Sequence, residues 1–403
     1  MSARKKGESM KSTTPSKIKH PALGAIVTLL IMILVSCSGS EAPTADPDTT
    51  ETAVAPAAAG ALSPIVVTEP SAVDTDDPAI WINPEDPAES LILGTDKGGT
   101  VYVYTLDGAI IPEKTVTGMG RTNNIDVAYG FALGDQTIDI AMSTDRGNNK
   151  LRAFRLPEMT PIDNGGVDVF EGEEPEKRLP MGLAFYTRPS DNALFAIVSR
   201  KEGPSGAYLW QYRIEDDGSG AIKATKVRAF GSFADHITVV EDGETKIAEI
   251  EAIAVDNELG YVYYSDEWGG IKKYHADPDH PDAETELAVF GTDGFTQDRE
   301  GISIYKVNDG TGYILVSDQQ ANAFRIFKRE GEPDDPHNHQ LVKIVQVSTN
   351  ESDGSDVTST VLDERFPSGL FVAMSDNRTF HYYSWDDIAG DDLVKAPNGT
   401  VAN

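Results

Sequence analysis

An all-β fold, a six-bladed β-propeller with four-stranded antiparallel blades, is what this 403-residue sequence predicts. Three observations predict it. One strand–turn–strand–turn–strand pattern recurs six times, at a spacing of about 50 residues. Its strands are rich in β-branched and aromatic residues and are bounded by Gly, Asp, Asn and Pro. Helical periodicity is nearly absent. A small sheet cannot bury both its faces alone, and stacking such sheets around a ring buries them all. A β-sandwich is the competing arrangement for the same strands.

The copies begin at Asp76 (DDPAIWINPEDP), Asn123 (NNIDVAYGFAL), Met181 (MGLAFYTRPSD), Glu249 (EIEAIAVDNEL), Arg299 (REGISIYKVND) and Asp353 (DGSDVTSTVLD). Each continues into a second strand and then an alternating third, such as VYVYTL or LWQYRI. A fourth strand is visible after several copies: TKVRAF, ELAVF and LVKIVQV. Copy six has none after it, so SPIVVTE, from Ser63 to Glu69, is expected to supply it and close the ring.

Outside the repeats, residues 1–37 read as a leader. A basic segment (Arg4, Lys5, Lys6, Lys11, Lys17, Lys19) precedes the apolar stretch Ala22 to Val35, which is short for a membrane span. Leu34-Val35-Ser36-Cys37 resembles a bacterial lipobox, which implies cleavage before Cys37, lipid on that residue and attachment to the cell envelope at the outer membrane. An ordinary signal peptide with an incidental cysteine is the alternative. Cys37 is the single cysteine, so no disulfide forms within the chain. Residues 38–62, rich in Ala, Pro, Thr and acids, read as a flexible linker; 63–390 form the propeller domain and 391–403 a tail. The formal net charge is −31, and the leader carries six of the basic residues against one acid, so the exported part is more acidic still. Such a field repels nucleic acid and anionic lipid and concentrates cations, which leaves the lipid on Cys37 as the membrane contact. A monomer is expected.

The polar ends of the copies carry the functional signal. After the second strand they read TDK, TDR, SRK, SDE, SDQ and SDN, so Lys97, Arg146 and Lys201 stand in copies one to three, and Asp266, Glu267, Asp318 and Asp376 in copies four to six. Before the first strand stand Asp76 and Asp77, Asn123 and Asn124, Glu249 and Glu251, Asp298 and Glu300, and Asp353. In a ring, one half of the rim is then expected to be cationic and the other anionic. Crowded carboxylates repel one another, and hard oxygen ligands of this kind suit Ca²⁺. A ligand held by Lys, Arg and carboxylate-bound cations is itself a multiply charged anion, and phosphate fits. A single strand-end Asp can equally be a turn cap, and a single Lys or Arg can be merely solvated. Asp256, in the Asp-Asn-Glu-Leu-Gly turn at the other end of its strand, is expected to be such a turn residue, cheap to replace.

These residues resemble the β-propeller phytases, calcium-dependent hydrolases of myo-inositol hexakisphosphate. The matching motifs are DDPAIW at Asp76, TDKGGTVYVYTLDG at Thr95, NNIDV at Asn123, SRKEG at Ser199, EIEAIAVD at Glu249, YSDE at Tyr264, DREGISIY at Asp298 and DGSDV at Asp353. The resemblance spans about Pro64 to Ala389. It implies several Ca²⁺ ions and two neighbouring phosphate sites at the top of the channel, with metal-activated water attacking phosphorus. By motif, it implies that Lys97, Arg146 and Lys201 hold phosphate and that Asp76, Glu251, Glu267, Asp298 and Glu300 bind catalytic calcium, with Gln319 beside them. Asp77, Asn123 and Ile125, by its carbonyl, look like a structural calcium site; Glu69 and Asn124 look like part of another, and Asp353 joins the metal ligands. The chain departs from the pattern at Gly98, where some members have a second lysine, at Met181, where the family has Tyr, and in a shorter loop at Asn350 and Glu351.

Rival chemistries lack residues. The Arg-His-Gly motif of histidine phosphatases is absent, and a cysteine phosphatase needs a thiolate that the lipobox reading removes. A calcium-dependent lactonase-type propeller and a non-catalytic surface-binding propeller stay open as alternatives.

Overall fold

The structure, a computed structural model, describes residues 60–234, 239–241, 244–246 and 249–397. The leader, Cys37 and nearly all of the 38–62 linker lie outside the described residues. Those described belong to one unit, 53–403.

Six blades are present. Blade three is the plainest: Pro180–Thr187, Leu194–Arg200, Leu209–Asp216 and Ile222–Phe230 follow one another in a four-stranded antiparallel sheet. Blade four runs Ile253–Asp256, Tyr261–Asp266, Gly270–His275 and Ala288–Phe290, and blade five Arg299–Asn308, Thr311–Asp318, Ala323–Lys328 and Leu341–Gln346. The three expected fourth strands are therefore in place. Blade one has Thr75–Trp81, Leu91–Asp96 and Thr100–Tyr104, with only isolated bridges from Ile110 and Val116 along its outer edge. Blade two has Thr122–Leu133, Gln136–Asp145 and Lys150–Leu156, edged by the two-residue strands Thr160–Pro161 and Val167–Asp168.

Blade six is made from both ends of the domain. Ser355–Thr358, Leu370–Ser375 and Thr379–Ser384 are joined at the outside by Val66–Val67, which pairs with Tyr382 and His381. The Thr68 N–H donates to the Phe380 carbonyl at 3.0 Å and the Phe380 N–H returns to the Thr68 hydroxyl. SPIVVTE thus closes the ring.

Six apolar clusters fill the structure, one at each seam between neighbouring blades. Alternation along the second strand explains this. In Leu91–Asp96, Leu91 and Leu93 face the seam with blade two while Ile92 faces the seam with blade six. A two-sheet sandwich would share one core, so the ring is the architecture. The helix Trp385–Ala389 follows the last strand, with Trp385 stacked on Tyr305 at 3.6 Å. Leu393 and Ala396 are buried in the same cluster.

Candidate active site

The innermost strands carry a repeated irregularity. Their pairing with the second strand skips between Thr75 and Pro78, Thr122 and Ile125, Pro180 and Leu183, and Arg299 and Ile302. Each bulge bends the strand over the channel mouth and re-aims a side chain. In blade four the strand begins at Ile253, later than the expected Glu249, and in blade six at Ser355. Glu251 and Asp353 stand just ahead of these strands, at the repeat position of Asp76, Asn123, Met181 and Glu300. The ring therefore carries four carboxylates, one amide and one thioether.

Hydroxyls hold it together. In blades one to three the Thr or Ser near the end of the second strand receives a bulge N–H of its own blade and donates to a carbonyl of the next, and in blades four and five the Ser donates onward. Thr95 accepts from Asp77 at 2.9 Å and donates to the Asn123 carbonyl; Thr144 accepts from Asn124 and donates to Met181 at 3.1 Å. Ser199, Ser265 and Ser317 donate onward to Ile250, Glu300 and Ser352. Packing is close enough that a Cβ on Gly182 would lie 1.9 Å from the Glu251 carbonyl oxygen.

The next residue, in four of the copies, is an Asp that acts as a cap and not as a rim group; Asp376 in copy six is exposed. Asp96, Asp145, Asp266 and Asp318 are all buried and accept the N–H groups of Val73, Gly120, Ala234 and Thr296 from the preceding connection. This corrects the expectation that Asp266 and Asp318 belong to an anionic half-rim, since equivalent caps occur in blades one and two. The rim is the residue after: Lys97, Arg146, Lys201, Glu267 and Gln319.

These side chains meet. Lys97 Nζ lies 2.9 Å from Asp353, 3.1 Å from Asp74 and 3.8 Å from Asp76, and Lys201 pairs with Glu249. Gln319 donates to Asp353, and the Asn123 amide to Glu251. Arg146 reaches Asn123 Oδ1 at 3.4 Å. Asp298 accepts from Trp268 Nε1 and Gln320 Nε2, each at 2.8 Å. Ligand oxygens of Glu249, Glu251 and Glu267 lie within 4.8 Å of one another. Asp77 accepts the Ile125 N–H at 3.1 Å and shares with Asn124 the lining of the narrow channel beneath, a cavity of about 160 Å³. A wider cavity of about 940 Å³ lies around Tyr129, Lys306 and Asp309, away from the ring. Glu69 is set apart on the ring-closing segment, where it accepts the Ile110 N–H. A lysine at Gly98 would displace its neighbours, because a Cβ there would sit 2.6 Å from Val73 Cγ2 and 2.7 Å from Asp96 Oδ1.

Burial, then mutual repulsion, pushes the ring carboxyls up. Asp76 rises to about 6 because burial outweighs the neighbouring Lys97, and Glu267 rises to about 8. Glu251 and Glu300 are pushed well above the usual range by burial and by the surrounding acids. Asp76 Oδ2, Glu300 Oε2 and Asn124 Oδ1 are buried with no hydrogen-bond partner. Orphaned buried oxygens beside crowded carboxylates fit a hard divalent cation, and neither thiol nor imidazole stands in the ring.

Three groups here escaped sequence reasoning: Asp74, Arg121 and Trp268. The register shows the signal for the first two. Asp74, Arg121, Leu179, Glu249 and Asp298 each precede their bulge residue by two places, and each carbonyl accepts the N–H of a rim residue.

Fold and site define a six-bladed propeller whose mouth couples a metal-competent acidic ring to basic side chains. The chain belongs to the phytase family, whose pattern matches residues 22–395. It is 28% identical over 338 residues to the 3-phytase of Bacillus subtilis (strain 168), covering 78% of this chain and 80% of that one. Among solved structures, the computationally designed Ika8 protein is similar over 80% of this chain and 99% of its own, with 11% identity and a TM-score of 0.39.

Proposed function

We propose that this phytase-family chain hydrolyses phosphomonoesters of phytate, myo-inositol hexakisphosphate, in a calcium-dependent reaction. The observation that carries the reading is the mouth itself, where buried carboxylates with orphaned oxygens face lysines and arginines across one ring. Glu249, Glu251, Glu267, Asp298, Glu300, Asp76 and Asp353 would hold the ions. Calcium bound there supplies positive charge to phosphate oxygens and lowers the pKa of water. Arg146, Lys97 and Lys201 orient the phosphates and neutralise charge growing on their oxygens. Asn123 and Gln319 fix the carboxylates of Glu251 and Asp353 by donated hydrogen bonds. Asp77 and Asn124 extend oxygen donors into the channel, where a structural ion would brace the seam between blades one and two.

Phosphate release from phytate, measured with calcium and after chelation, tests the reading. Calcium-restored release supports it. Equal release in chelator removes the calcium dependence, and no release with any divalent ion removes the phosphohydrolase. The lipid anchor is likewise a proposal: the wild-type chain made in bacteria takes up labelled fatty acid and Cys37→Ala does not, whereas equal labelling of both overturns it.

A further inference from the structure

Four basic side chains gather at this mouth, and two are already matched with carboxylates. Lys97 contacts Asp74, Asp76 and Asp353, and Lys201 contacts Glu249. Among the described residues the Arg146 side chain makes only the long contact to the Asn123 amide oxygen. Arg121 beside it makes no side-chain hydrogen bond or ion pair among the described residues, and its Nε is buried without a partner.

The backbone builds this pair deliberately. The Arg146 N–H donates to the Arg121 carbonyl at 2.7 Å, which ties the turn after the second strand of blade two to the connection from blade one. Asp145 accepts the N–H groups of Gly120, at 2.9 Å, and Arg121, at 3.4 Å, and so spends its carboxylate on backbone. Gly120 and Gly147 let the two segments touch: a Cβ on Gly147 would lie 2.7 Å from the Gly120 carbonyl carbon and 2.9 Å from the Arg121 nitrogen. Burial first, and then Arg121 as a like charge, disfavour the charged form of Arg146, while Glu249, Glu251 and Asp76 act in the opposite sense. Asp76 acts on both guanidiniums, but neither forms an ion pair among the described residues; neighbouring like charges repel, and an oxyanion shared by both reverses that cost.

We propose that Arg121 is a binding residue of this mouth, which together with Arg146 forms a two-guanidinium grip for one phosphate group, independent of the metal. The inference rests on the phytase reading for its substrate, but the grip itself requires only a phosphate oxyanion. It also assigns a fourth basic side chain to a mouth where Gly98 leaves Lys97 without a lysine neighbour.

The test compares wild type, Arg121→Gln and Arg121→Lys in two assays. In chelator, inorganic phosphate binding is followed by titration calorimetry and by the rise in Tm. Arg121→Gln should bind phosphate roughly 10- to 100-fold more weakly, the loss expected for one charge-assisted contact, and Arg121→Lys should recover part of it. With calcium, phytate turnover should lose kcat/KM by a similar factor, mainly through KM. Calcium affinity, read from Trp268 fluorescence, should not move. Relief of the repulsion should leave ligand-free Arg121→Gln at least as stable as wild type. Unchanged phosphate binding in Arg121→Gln, a loss confined to kcat, weakened calcium binding or a lowered Tm without ligand each overturns the proposal. If wild type binds phosphate as described but releases none from phytate, the grip stands and the phytase reading falls.

Discussion

Glu267→Gln should change the sign of its effect with calcium. In the ligand-free protein the Glu267 carboxyl is raised from 4.5 to about 8, by burial first and then by Glu249 and Asp298. Between those two values the folded state holds a proton that the unfolded chain has released. Stability attributable to this group therefore falls as pH rises through that window, and the penalty is complete above about 8. At pH 7 the difference is at most about 3 kcal/mol, because each unit is worth about 1.4. Glutamine has nearly the same volume, carries no charge and keeps an acceptor for the Glu249 N–H, now 3.0 Å from Glu267 Oε2. In chelator at pH 7 the variant should thus melt higher than wild type, by roughly 5 °C for a gain of that order. In saturating calcium the order should reverse, since a ligand charge has gone, and kcat on phytate should fall by about 10²-fold or more. Calorimetry at pH 5, 7 and 8.5 with and without calcium reads all of this. A lower Tm for Glu267→Gln in chelator at pH 7 would refute the argument that the ring stores electrostatic strain that a cation relieves.

Asp256→Asn should cost about 3 kcal/mol of stability, the range for breaking a buried pair, while phytate KM stays as it was; chemical denaturation and initial rates check both, and a loss under 1 kcal/mol would remove the claim. Gly182→Ala should distort the ring through the Glu251 carbonyl and lower both Tm and calcium affinity, so an unperturbed variant would mean that the close approach is not rigid. Buried His339 and His381, each held near 4 mainly by burial, resist protonation that the unfolded chain accepts below 6.5. Their stability is present above 6.5 and is lost as pH falls towards 4, by up to about 3 kcal/mol each; His381→Gln should flatten that acid limb of a Tm–pH profile, and an unchanged limb would count against it.

The repeat was legible because its turn chemistry is local. Thr95-Asp96-Lys97 and Ser265-Asp266-Glu267 announce the same strand end wherever they occur. What the pattern could not reveal is which of the three side chains faces where. The hydroxyl reaches across a seam, the Asp folds back onto the preceding connection, and only the third residue meets the mouth; these directions depend on partners in neighbouring blades and connections that the local motif does not contain. Asp256 shows the same limit. Its turn was readable, and the Asp256 cap on the Leu259 N–H agrees with it. But Arg329, which clamps it through contacts of 2.6 and 2.7 Å with both side chains fully buried, lies 73 residues further on. Asp256 is thus a turn residue buried in an ion pair, which overturns the expectation of a surface turn. Arg121 was missed because an arginine before Asn123-Asn124 is unremarkable until Arg146 is seen beside it.

The closing of blade six by Val66–Val67 has a bearing on how the protein matures. Residues made first must wait, unpaired, for the last sheet before they can dock, and Thr75 Oγ1 meets the carbonyl of Ser375, a residue 300 positions further on. Because Lys97 and Asp353 belong to opposite extremes of the chain, the mouth comes into being only when the circle is complete. A chain cut short during synthesis thus lacks the contacts that Lys97 and Gln319 make with Asp353, and a complete mouth becomes a report of finished folding.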